Sequence, residues 1–189
     1  MSKKVLAALQ EQFGEEVVLK THSHRGDDTA EIVPEMIREV CRWLKSDPEM
    51  AFQQVSDITC VDWLGQSPRF EVVYQLYSLT RRHRVRLKCR VDESDPRLPS
   101  VQPVWKGANW LEREAYDMYG IVFEGHPDLR RLLLYPEFIG HPLRKDYPIR
   151  GEQPLVTMRD PESQRPVMPG GTLIQLKRPE GVRPVAEEN

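Results

Sequence analysis

Apolar and polar positions along this chain repeat with two periods, and the switches between them outline its elements. Val5, Leu6, Ala8, Leu9 and Phe13 fall at helical spacing, and Gly14 closes that helix. Val17-Val18-Leu19 lie in a strand from Glu16 to His24, Arg25-Gly26-Asp27-Asp28 turns it, and Thr29 to Val33 returns as its hairpin partner. Pro34 opens a second helix at the one position where a missing N–H is harmless. Ile37, Val40, Cys41 and Leu44 give that helix a continuous apolar face, and Ser46-Asp47-Pro48 stops it. A strand from Phe52 to Trp63 follows, with poor alternation. In the next, Phe70, Val72, Tyr74 and Leu76 alternate with Glu71, Val73, Gln75 and Tyr77, apolar enough on both sides for an inner strand. Val85, Leu87, Cys89 and Val91 then alternate strictly with Arg84, Arg86, Lys88 and Arg90.

The order α-β-β-α-β-β-β predicts an α+β fold of two layers, a mixed β-sheet with helices on one face. Asp95 to Ser100 reads as a rigid connector, with Ser100 placed to cap a helical turn reaching Trp105. A further helix is marked by Trp110, Leu111, Glu114, Asp117 and Met118, and Gly120 stands where a left-handed cap would end it. Here Glu112, Arg113, Glu114 and Asp117 are interleaved with Trp110, Tyr116 and Tyr119, a mixture suited to a surface that another protein covers. Ile121 to Phe123 reads as a short apolar strand or extended piece. The texture changes at Arg150: Pro154, Pro161, Pro166, Pro169, Pro179 and Pro184 arrive with Gly170-Gly171 and few large apolar residues. Such a stretch cannot bury enough surface to fold alone. The expectation is an α+β domain over residues 1–149 and an extended arm over 150–189, with Leu155-Val156 and Leu173 to Leu176 as anchors on a neighbour.

Composition narrows the function. Hydrophobic residues make up 39% of the 189 and charged residues 30%, against a usual share of about 45–50% and about 25%, which agrees with a polar tail. A net charge of -2 argues against a nucleic-acid binder, and the strict period of two in the basic strand reads as one solvated sheet face, with an acidic protein partner as the alternative. No apolar run is long enough to span a bilayer, and the N-terminus lacks the apolar segment of a secretory signal. The expected setting is cytoplasmic, with any membrane association made through partners. Cys41, Cys60 and Cys89 form no closely spaced pair, which points to buried thiols rather than a zinc or iron–sulfur site. Glu112, Glu114 and Asp117 are the carboxylates that acid–base or di-metal chemistry would need, but the Glu-x-x-His spacing is missing and Arg113 among them favours ion pairing. His22, His24, His126 and His141 adjoin no nucleophile motif, and no phosphate-binding glycine loop occurs. The residues therefore predict no catalytic, cofactor-binding or metal site. In His141-Pro142-Leu143-Arg144-Lys145-Asp146-Tyr147-Pro148, two prolines brace an Arg-Lys-Asp cluster. A stiff loop loses little entropy on docking; equally, Arg144 and Asp146 would tie it to its own domain.

The run W-L-E-R-E-A-Y-D-M-Y-G-I-V-F-E-G-H-P-D-L-R-R, followed by G-H-P-L-R-K-D-Y-P, resembles the signature of the 30 kDa subunit of bacterial NADH–quinone oxidoreductase, respiratory complex I. The preceding D-P-R-L-P-S-V-Q-P-V-W-K-G-A-N-W is similar to the family too, so the likeness covers about Asp95 to Pro148. It implies a cofactor-free subunit of the hydrophilic arm, packed against the subunit that helps form the quinone site, and near iron–sulfur subunits. FMN and the iron–sulfur clusters would lie in partner subunits, and the chain would sit peripherally on the cytoplasmic side of the membrane. The resemblance implies signature positions at Trp110, Glu112, Arg113, Glu114, Tyr116, Asp117, His141, Pro142, Arg144, Lys145 and Asp146, expected here to contact the quinone-site subunit. The corresponding subunit of a membrane-bound hydrogenase, an F420-type dehydrogenase or a photosynthetic complex is the alternative within the same architecture.

Overall fold

The period-two segments pair into one five-stranded sheet with strand order β1-β2-β5-β4-β3, seen in a computed structural model that describes residues 3–150 and Gln153. The strands are β1 (Val18–His24), β2 (Asp27–Ile32), β3 (Gln54–Asp62), β4 (Phe70–Tyr77) and β5 (Arg84–Val91). Three pairings are antiparallel; β2 and β5 run parallel, with Ala30 opposite Leu87, so the sheet is mixed. A crossover is required because antiparallel hairpins occupy both sides of that junction. It runs through a 3-10 turn at Pro34–Met36, α2 (Ile37–Ser46), β3 and β4.

Register explains which residues make the core. Phe70, Val72, Tyr74 and Leu76 stand opposite Val91, Cys89, Leu87 and Val85, all buried on the face that receives the helices. α1 (Lys3–Phe13) contributes Val5, Leu6 and Leu9; α2 contributes Ile37, Val40, Cys41 and Leu44. α3 (Ala108–Tyr119) adds Ala108 and Ala115 and lies over β3. All three cysteines are buried and free, and burial pushes the Cys60 thiol up to about 12.

The opposite face carries the basic ladder. Lys88 and Arg90 share Glu71 at 2.8 and 3.7 Å, and Arg84 lies over the Tyr77 ring. The connector at residues 95–100 contains a strand that its residue pattern did not announce: β6 (Arg97–Pro99) pairs in parallel with β7 (Val122–Glu124). This two-stranded ribbon holds the chain on either side of α3 together. Ser100 Oγ accepts the Gln102 N–H, and the Val104 and Trp105 N–H groups return to the Val101 carbonyl, forming the expected turn. Among the described residues, no helix is long and apolar enough to cross a membrane. The proline-rich arm and its anchors lie outside the described residues.

Candidate partner-docking site

α3 ends as its sequence requires: Gly120 takes a left-handed conformation (φ 80°) and its N–H returns to the Tyr116 carbonyl. Its charged residues do not form a solvated face. Glu112, Arg113 and Asp117 are buried within the domain, while Trp110 and Glu114 are exposed and Tyr116 is half-buried. Each buried charge is satisfied by chain distant in sequence.

Glu112 accepts from Ser100 Oγ and the Val101 N–H, both at 2.6 Å, locking the 100–101 bend onto α3. Burial pushes its carboxyl up to about 7, against the downward pull of those two bonds. His126 Nε2 lies 3.9 Å from the same carboxylate, donates instead to the Asn109 carbonyl, and is held low by burial. Ser100, Glu112 and His126 thus stand in the neighbourhood a nucleophile and base would need. The Glu112 and His126 side chains are both fully buried.

Asp117 organises the next loop. Its Oδ2 accepts three successive N–H groups, from Leu132, Leu133 and Leu134, at 3.0, 2.8 and 2.9 Å. Its Oδ1 accepts from Arg131 at 2.8 Å, and Arg131 also donates to the Gly140 carbonyl. Burial pushes the Asp117 carboxyl up, but the Leu134 N–H, Arg131 and the other two N–H groups outweigh it and hold it below its usual value. Arg113 donates to the carbonyls of Arg130 and Arg131, and its guanidinium covers the exposed Trp110 ring at 5.2 Å.

The proline-braced loop is fixed from below. His141 Nδ1 donates to the Asp117 carbonyl, Arg144 Nε donates to the Tyr119 carbonyl at 2.6 Å, and the Arg144 guanidinium lies over the Phe70 ring. Asp146 meets Arg69 at 2.7 Å, and the Lys145 N–H donates to Asp62. Arg69 is the hub: its side chain is 4% exposed and binds Asp62 in a fork with two 2.8 Å bonds, Glu93 at 2.5 Å, and Asp146. Of the two readings the sequence left open, the tie to its own domain through Arg144 and Asp146 is present. Pro142 is half-buried in the same loop, and Lys145 is exposed.

The site therefore has two tiers. Glu112, Arg113, Asp117, His141 and Arg144 bind backbone groups; Asp146 pairs with Arg69 while still exposed, and Trp110, Glu114 and Lys145 reach solvent. Residue patterns missed Arg69, Asp62 and Arg131 and gave Ser100 only as a cap; the partners of these four lie 7 to 83 residues away. Among the described residues, no group of three or more His, Cys, Asp or Glu is placed to hold a metal.

What the fold and site define is an α+β module whose buried charges are bound by its own chain. A family model described as the 30 Kd subunit of respiratory-chain NADH dehydrogenase matches residues 30–153. An NADH-quinone oxidoreductase subunit of Rhizobium etli is 48% identical over 163 residues, covering 86% of each chain. The corresponding subunit of Geobacter metallireducens is 46% identical, covering 79% of this chain and 91% of its own. A solved trypsin-resistant fragment of Nqo5, residues 1–134, is 35% identical with a TM-score of 0.58, covering 67% of this chain and 98% of the fragment. A chain of an archaeal membrane-bound sulfane sulfur reductase shares the fold at 24% identity and a TM-score of 0.66, covering 78% of this chain and 86% of its own. The chain belongs to the 30 kDa subunit family of NADH–quinone oxidoreductase, and its relatives are subunits of an oxidoreductase complex.

Proposed function

We propose that this chain is a cofactor-free structural subunit of the hydrophilic arm of a proton-translocating NADH–quinone oxidoreductase, docking onto the subunit that helps form the quinone site. In this reading FMN and the iron–sulfur clusters belong to partner subunits, and the chain meets the membrane only peripherally, on the cytoplasmic side, through the complex. The observation that carries it is the direction of the buried charges: Glu112, Asp117 and Arg69 each bind the protein's own backbone or side chains. None of the three is turned toward an open site. That arrangement supports rigidity, and a rigid surface docks at low entropic cost. Trp110, Glu114 and Lys145 are the signature side chains that meet the quinone-site subunit themselves; Glu112, Arg113, Tyr116, Asp117, His141, Pro142, Arg144 and Asp146 act through the backbone they hold. Residues 150–189 form the arm that lies across a neighbour.

Purification of the full-length tagged chain from its host tests this. The quinone-site subunit should co-purify in stoichiometric amount, and the chain alone should show no flavin absorbance, no iron and no NADH oxidation. Bound flavin or iron in the isolated chain would count against the reading. The likeness to a chain of a sulfane sulfur reductase keeps a related membrane complex as second reading; an NADH-binding flavin subunit among the co-purifying chains separates the two.

A further inference from the structure

A recess of about 350 Å3 opens between the end of α2, the start of β3 and the turn that leads into α3. Small-molecule sites run from about 300 to 1,000 Å3, so this one is of ligand size. Val55, Val104 and Trp105, all buried, form its floor, and the Trp105 indole is pinned there by donating its N–H to the Phe52 carbonyl. Lys45, Gln54 and Lys106, all exposed, stand around it. An apolar floor edged by a few polar groups is the make-up of a ligand pocket.

The charge of the recess is one-sided. None of the residues that line it is acidic. Lys45 donates to the Val104 carbonyl, which holds its ammonium at the recess with two further N–H donors to offer. Among the described residues, neither Lys45 nor Lys106 pairs with a carboxylate. Asp47, two residues beyond Lys45, accepts the Glu49 and Met50 N–H groups instead. A further positive contribution comes from Gly107, which lines the recess and is the N-cap of α3. That helix begins with no side-chain cap and no acidic residue in its first turn, so the partial positive charge of its end is left uncovered.

We propose that this recess binds a small anion with an apolar body, its phosphate or carboxylate head held by Lys45, Lys106 and the start of α3, and its body laid on Trp105 and Val104. A bare inorganic anion would leave the apolar floor in water, and a neutral apolar molecule would leave both ammoniums without a counter-charge. The site stands apart from the subunit reading, since no signature residue lines it.

The test is a titration of the isotope-labelled full-length chain, followed by amide chemical shifts, with phenyl phosphate, benzoate, inorganic phosphate and phenol. Phenyl phosphate or benzoate should bind saturably, with a Kd on the order of 1 mM, and shift the amides of residues 53–55 and 104–108 together with the Trp105 indole N–H. The tighter of the two identifies the head group. Inorganic phosphate and phenol should each bind at least about tenfold more weakly, because each satisfies one part of the site. Lys106→Gln should weaken the tighter probe at least about fivefold, with a thermal midpoint within about 2 °C of wild type because the side chain is exposed. Lys45→Gln should weaken it by a similar factor, and added salt should weaken binding to the wild type. Lys20→Gln, exposed on β1, should leave the affinity unchanged. Wild-type affinity in both Lys45→Gln and Lys106→Gln overturns the proposal. So does equal affinity for inorganic phosphate and phenyl phosphate, a set of shifts centred on the arginines of β5, or the lack of a saturable shift with either aromatic anion up to about 20 mM.

Discussion

At the scale of single residues, Arg69 on β4's approach holds the proline-braced loop at residues 141–148 to the sheet through Asp146. Removing it by Arg69→Ala leaves the Asp62 carboxylate buried without its cation, a loss of about 3–5 kcal/mol and a drop in thermal midpoint on the order of 10 °C. Arg69→Lys should recover only part of this, because a lysine cannot reproduce the two-bond fork; equal stability of Arg69→Ala and wild type would show the network to be dispensable. The two buried carboxyls pull stability in opposite directions with pH. Asp62 is held low by its bonds to Arg69, against burial, so its contribution is present above the ordinary carboxylate range and is lost as pH falls through its lowered value. Glu112 is raised from 4.5 to about 7, so the folded state binds the proton more tightly than the unfolded chain. Its contribution is full below about 4.5 and fades as pH rises to about 7, by roughly 3 kcal/mol. Denaturant unfolding of Glu112→Gln between pH 5 and 8 should therefore give a flatter stability profile than wild type; parallel profiles would place the titration elsewhere. Gly120 shows how far residues were legible. Its role as a left-handed cap follows from its place after Tyr119, but a Cβ there would also fall 2.6 Å from Arg144 Nη2 and 2.7 Å from His141 Nε2. That second constraint belongs to a loop 21 to 24 residues further on, and no local pattern carries it.

At the scale of elements, period and end signals located β4, β5 and α3 to within two residues, because each buries one regular face; α2 begins at Ile37, three residues after Pro34, which opens a 3-10 turn instead. The inward turn of α3's charges was not legible. Glu112 and Asp117 go inside because donors from residues 100–101 and 131–134 meet them there, and those meetings depend on the β6–β7 ribbon. Of that ribbon β7 was legible as a short apolar piece, while β6 escaped notice because three residues are too few to show a period. Asp117 gives the direct test of how α3 governs its neighbour. Asp117→Asn replaces a carboxylate that gathers three N–H groups and an arginine with a group offering one acceptor, so a loss of roughly 2–3 kcal/mol is expected. Exchange of the Leu132, Leu133 and Leu134 amides should accelerate well beyond that of β4 amides; unchanged protection at 132–134 would mean the loop holds its shape without Asp117.

At the scale of the whole molecule, the α+β class, the mixed sheet and the family membership were all present in the chain's patterns and in the run from Asp95 to Pro148. Which signature residues would face outward was not, since charge in a sequence does not reveal the distant group that neutralises it. The proposed arm makes its own prediction. Deleting residues 155–189, which spares the Gln153 bonds to Ile139, should leave the thermal midpoint nearly unchanged while lowering the yield of assembled complex; a large loss of domain stability would contradict an arm. The most direct measurement is hydrogen exchange of the full chain, free and within the purified oxidoreductase. Assembly should add protection over residues 108–119 and 141–148 and leave the basic face of β5 nearly as it was. Equal exchange of those two segments in the free and assembled states would contradict the central claim that this fold exists to present them to a partner.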